Sequence, residues 1–170
     1  MGLRDVFAWA IFVFAAMQAA PAFAQAARDL DVKVGLNAEA EGYFLDIQLR
    51  NKGSQALSIA DGDLPWRGWN GMVLALMTPV GKELGRSGEI LDPFGEPVEL
   101  KPGAVLGGRI RLDKRFPSLR EELSHDDVIV FWSYQLRLDV STYLERVGGW
   151  LLIPSTNPSI TSGRVRKKKS

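Results

Sequence analysis

The stretch "DVIVFWSYQLRLDV", residues 127–140, decides the fold. Val128, Val130, Trp132, Tyr134, Leu136 and Leu138 fall on one side of an extended chain. Ile129, Phe131, Ser133, Gln135 and Arg137 fall on the other. A period of two is the signature of a strand, whereas a helix would repeat near 3.6. The first set is entirely apolar or aromatic, so that face is expected to be buried. The second mixes in polar groups and is expected to meet water.

The same period recurs upstream. Leu30, Val32, Val34 and Leu36 alternate with Asp31, Lys33 and Gly35, and Tyr43, Leu45, Ile47 and Leu49 alternate with Phe44, Asp46, Gln48 and Arg50. The turn signal "NKGS", 51–54, leads to a short return strand "ALSI", 56–59. "GMVLALM", 71–77, is a continuous apolar run, short enough to be a strand buried on both faces. Pro93, Gly95 and Pro97 break residues 92–97 into an irregular connection. "VEL", 98–100, then enters a Pro102-Gly103 turn. "AVLGGRIRLDK", 104–114, returns as a strand, with Leu106, Ile110 and Leu112 as its apolar positions. Gly107-Gly108 within it marks a bulge or a close backbone approach. "GWLLIP", 149–154, is the last strand, ended by Pro154, with Trp150 expected in the core. One short helix is expected over "PSLREELSHDD", 117–127, with Pro117 early, Ser118 as cap and Leu119 and Leu123 turned inward.

Many short strands with regular turns and little helix predict an all-β protein: an antiparallel β-sandwich of about seven to nine strands with one short connecting helix. The hairpin "FLDIQLRNKGSQALSI", 44–59, the strand–turn–strand "VELKPGAVLGGRIRL", 98–112, and Trp132 on a central strand carry a resemblance. The chain resembles the immunoglobulin-like or fibronectin-like sandwiches of bacterial exported proteins. That resemblance implies an immunoglobulin-like fold without the usual cysteine pair and says nothing of activity.

The two ends differ from this body. Arg4, an apolar run from Val6 to about Ala20, and Ala22-Phe23-Ala24 fit a secretory signal peptide over residues 1–24, cleaved near Ala24-Gln25. The apolar run falls short of the roughly 20 residues that span a bilayer as a helix. The alternative is an uncleaved N-terminal anchor. Residues 25–154 form the expected sandwich domain, placed in the periplasm or outside the cell. With no cysteine, its own core must hold it. Residues 155–170 form a basic tail, expected to be disordered, with Arg164, Arg166, Lys167, Lys168 and Lys169. The whole chain carries +1, and Arg4 and Asp5 cancel, so setting these five charges aside leaves a body of about −4. Such a tail is either solvated or laid on an anionic membrane surface. Nucleic acid is not an expected partner of an exported chain.

Catalytic chemistry finds little support. The single histidine, His125, stands at the expected helix end, and no serine sits in a G-x-S-x-G elbow. Metal sites of exported proteins gather several His or Cys ligands, so none is expected here. Asp61 and Asp63 flank Gly62 with the spacing used in calcium loops, but the later glutamate of that loop is missing. No phosphate-binding glycine loop is present, and no cofactor is expected.

The aromatic loop "DLPWRGWNG", 63–71, is the remaining signal. Trp66 is expected to plug the open end of the core. Trp69, with Arg67 beside it, is the candidate for an exposed platform that stacks on a sugar ring or a peptide side chain. Tyr143 and Arg146, in the loop "STYLERVGGW", 141–150, are the second candidate surface. The expected function is a non-catalytic exported binding or accessory module that recognises an envelope protein, peptide or glycan through end loops. The alternatives are a structural envelope spacer with a surface-contacting tail, or an inhibitor of an exported protease.

Overall fold

A computed structural model describes residues 29–67, 71–88, 95–138 and 142–156. The eight strands within them are β1 (Leu30–Glu39), β2 (Gly42–Asn51), β3 (Leu57–Ile59), β4 (Met72–Met77), β5 (Val98–Leu100), β6 (Val105–Arg111), β7 (Val128–Tyr134) and β8 (Val147–Ile153). They form three antiparallel sheets of order β1-β2-β6, β3-β5 and β4-β7-β8. The protein is all-β.

One apolar core joins these sheets. Leu45, Ile47 and Leu49 of β2, Ile110 of β6, Met72, Leu74 and Leu76 of β4, and Val128, Val130 and Tyr134 of β7 are all buried in it. The alternation of β2 and β7 therefore sorts as the sequence predicts. Outward, the first sheet is polar. Asp46 stands opposite Arg109 and is hydrogen-bonded to it at 2.6 Å, and the Arg109 guanidinium lies 4.2 Å from the Phe44 ring centroid, covering that aromatic.

Helix is distributed differently from expectation. α1 (Leu112–Arg115) and α2 (Leu119–Leu123) are two short helices, where one helix over 117–127 is expected. The strand expected to run to Lys114 ends at Arg111. Leu112 and Phe116 are four residues apart and both fully buried, as are Leu119 and Leu123. In a strand Lys114 would share a face with Leu112 and Phe116, and Glu121 with Leu119 and Leu123; a helical turn buries each apolar pair and leaves both charges exposed, so the segment coils. Ser118 is itself in a helical conformation and makes no side-chain cap bond. The strand expected over 127–140 ends at Tyr134. Tyr134 pairs with Val147, but Arg137 pairs with Tyr143, so the register slips by one residue between them.

A buried carboxylate clamps α1 to the sheet. Asp113, 7% exposed, accepts hydrogen bonds from Arg111 at 3.1 Å, from Arg120 at 3.0 Å and from the Tyr43 amide at 3.4 Å. Burial opposes its charge, but the hydrogen bonds from Arg111 and Arg120 outweigh burial and hold the carboxyl below its ordinary range. A carboxyl lowered on folding stabilises fully above its unfolded pKa, about 3.9, and that contribution is lost as pH falls through the lower folded value. Asp113→Asn should therefore cost about 1–2 kcal/mol at neutral pH, since its arginine partners are partly solvent-screened. It should also flatten the fall in stability below about pH 4. Urea midpoints measured across that range check both.

β6 carries Leu106, Gly108 and Ile110 on its inward side, and the indole of Trp66 occupies the space a side chain at 108 would take. Trp66 is half-buried against the core, as its reading as a plug requires, and Gly108 is the close approach that the glycine pair implies.

Candidate functional site

The outer face of the sheet β4-β7-β8 is the opposite of the polar face across the molecule. Its register stacks three rows of side chains. Val73, Ser133 and Gly148 form the first row, Ala75, Phe131 and Trp150 the second, and Met77, Ile129 and Leu152 the third. Seven of these nine positions are apolar. Trp150 is 65% exposed, Val73 54%, Leu152 42% and Phe131 41%. The two aromatics stand opposite each other within a contiguous exposed apolar face rather than as scattered single side chains.

The expectation that Trp150 lies in the core is overturned here. Strand β8 reads "VGGWLLI", apolar or glycine at every position, so its sequence holds no polar residue to show which side faces water. Ile153 and half-buried Leu151 take the core side, as partners of Val128 and Val130, and alternation puts Trp150 and Leu152 outside. The signal that could have located the surface is the pairing of two unbroken apolar runs, 71–77 and 149–153, with the mixed face of 127–140. A sheet apolar on both sides needs cover on both sides.

Arg146 borders this face. It donates to Ser133 Oγ at 3.2 Å and to Gln135 Oε1 at 3.0 Å, so its guanidinium lies over the Gly148 end of the rows. Tyr143, 53% exposed, continues the same ladder opposite Arg137. The structure thus brings two of the expected binding residues, Tyr143 and Arg146, to one end of the apolar sheet. Glu83, opposite Met77, borders the far corner beside β4.

β8 is an edge strand with no proline and no charged residue, the features that ordinarily blunt an edge. β4, at the opposite edge, is partly covered, because Leu84 donates back to the Leu76 carbonyl at 2.8 Å. Beside β8, a cleft of about 260 Å³ opens toward β1, where Leu30 and Val32 face Leu136, Leu144 and Val147.

Arg67 belongs to a different cluster. Its Nε lies 3.2 Å from Asp61, and Arg137 Nε lies 3.3 Å from Asp63. Both carboxylates, buried in the 3-10 turn Asp61–Asp63, are therefore neutralised by arginine rather than converging on a common centre. The Tyr134 hydroxyl donates to the Asp63 carbonyl at 3.0 Å; burial, then the Asp63 charge, push this phenol well above its ordinary range. No group of three His, Cys, Asp or Glu side chains is placed to hold a metal ion among the described residues. Trp69 and the tail residues Arg164, Arg166, Lys167, Lys168 and Lys169 lie outside the described residues, as does the segment 1–24.

No protein-family model matches the sequence, and no curated protein matches it. A protein from Archaeoglobus fulgidus, known by its crystal structure, is similar over 74% of this chain and 96% of its own, at 12% identity and a TM-score of 0.39. A likeness this distant carries no argument about the present chain. Among the described residues no helix is long and apolar enough to cross a membrane.

Proposed function

We propose that the protein is a non-catalytic, exported binding module that docks through the outer face of the sheet β4-β7-β8, on an immunoglobulin-like sandwich. The two three-stranded sheets sharing one core support the sandwich reading. The observation that carries the docking face is the exposed pair Phe131 and Trp150, opposite each other in the middle row of an apolar surface. Such side chains cost solvation in the free protein and contribute binding energy when covered. This reading moves the site from the end loops to a sheet face. Arg67 is already engaged by Asp61, whereas Arg146 lies over one end of the apolar rows and Tyr143 sits in the strand ladder just beyond that end. Export rests on the sequence of residues 1–24.

Co-sedimentation of the mature chain with its native envelope fraction tests the reading. Trp150→Glu should release it by more than about tenfold, with an unchanged circular dichroism spectrum because the side chain is exposed. Retention undiminished by Trp150→Glu but abolished by Arg67→Ala would return the site to the end loops and overturn the proposal.

A further inference from the structure

Resting on that reading, we infer that the occupant of the outer sheet face is the surface of an anionic lipid bilayer. Three observations point to lipid rather than to a second copy of the chain. The face is small. Three strands about 4.8 Å apart and three rows spaced about 7 Å give a footprint of roughly 300 Å². Even doubled for side-chain relief, that is below the about 800 Å² per partner of a stable protein interface. A bilayer sets no such minimum, and Trp, Phe and Leu on one rigid face are the side chains that seat at its interface.

The second observation is where the flanking segments join the sheet. Leu30 sits across the cleft from Val147, beside the Arg146 end of β8. At the other end Ile153 pairs with Val128, and the Thr156 amide donates to the Leu123 carbonyl at 2.8 Å. Thr156, the last of the described residues, therefore stands beside the Leu152 end of the face. Seven residues lie between Thr156 and Arg164, and the eight Cα–Cα steps they make span at most about 27 Å, a length comparable with that of the rows.

Charge is the third. None of the nine side chains in the rows is charged, Arg146 lies over one end, and Arg164, Arg166, Lys167, Lys168 and Lys169 follow Thr156 in the sequence. Apolar seating combined with a polybasic segment is a sufficient pair of weak signals for reversible membrane attachment.

The test uses the mature full-length chain and vesicles of phosphatidylcholine with or without roughly a third phosphatidylglycerol. Binding should favour the anionic vesicles by more than about tenfold and weaken as salt rises. Trp150→Glu and removal of residues 164–169 should each lower it by about tenfold or more. Doxyl-labelled lipid should quench tryptophan fluorescence in the wild type. Trp150→Phe should keep binding but lose most of the quenching. Equal affinity of wild type and Trp150→Glu for the vesicles would overturn the inference, because the tail alone would then bind. A concentration-dependent dimer abolished by Trp150→Glu, with no vesicle binding, would overturn it in favour of a second copy. No vesicle binding, with envelope retention still lost in Trp150→Glu, would overturn lipid as the occupant and leave the docking face standing.

Discussion

Asn51→Ala is expected to lower the unfolding free energy by about 3 kcal/mol, a drop of roughly 10–15 °C in the thermal midpoint. Asn51 ends β2 and is fully buried. Its amide Nδ2 donates to the Leu100 carbonyl at 2.9 Å and to the Gln55 carbonyl at 2.7 Å, and its Oδ1 accepts from the Gly53 amide at 2.9 Å. Its backbone binds the turn beyond β5 as well, with its amide donating to Ala104 and its carbonyl accepting from Gly103, at 3.2 and 2.8 Å. Its side chain thus ties together β2, the turn after it and the end of β5, while its backbone holds the entry to β6. Alanine strips partners from the Leu100 carbonyl, which has no water to replace them, and the penalty for a stranded buried group exceeds the net worth of the bond that held it. Asn51→Leu separates this cause from packing: it restores the volume but none of the three bonds. A loss close to that of alanine is expected, measured by thermal denaturation. A leucine variant as stable as the wild type would show that Asn51 acts only by filling space.

None of this hub is legible in the sequence, where residues 51–54 read simply as a turn. A turn signal reports backbone preference, whereas the Leu100 carbonyl lies 49 residues from Asn51 and meets it only once β5 has arrived. Strand faces were legible where polar residues punctuate them. Asp46, Gln48 and Arg50 show which side of β2 faces out, and Leu45, Ile47 and Leu49 are buried accordingly. β8 offers no such punctuation, so Trp150 is misplaced on the core side by any reading of that strand alone. Its true face follows only from its register with β7, a non-local fact. The same holds for α1. Asp113 and Lys114 look like the end of a strand until Arg120, from the next helix, reaches back to the Asp113 carboxylate. Of the candidate site, the sequence marks Tyr143 and Arg146 as loop residues but not the apolar face they border.

Gly108→Ala is expected to destabilise by about 3 kcal/mol, against the usual direction of such a change. In an open strand, replacing glycine by alanine stabilises by about 0.5–1 kcal/mol, because glycine loses more backbone freedom on folding. At 108 the added Cβ would lie within the indole of Trp66, a rigid ring rather than the free end of a flexible chain. The tryptophan must leave its half-buried seat, uncovering Leu106 and Ile110 on the same side of β6. The sign makes the pair self-testing. Trp66→Ala alone should cost about 2–3 kcal/mol, less than a fully buried tryptophan, because the ring is only partly covered. In that background the conflict is gone, so Gly108→Ala should revert to neutral or mildly stabilising. The double variant should then be no less stable than Trp66→Ala, a coupling of about 3 kcal/mol between two residues 42 positions apart in sequence. Chemical denaturation of the four proteins measures it. Additive losses would mean that the ring does not rest on Gly108, and that the core closes at this end by some other contact.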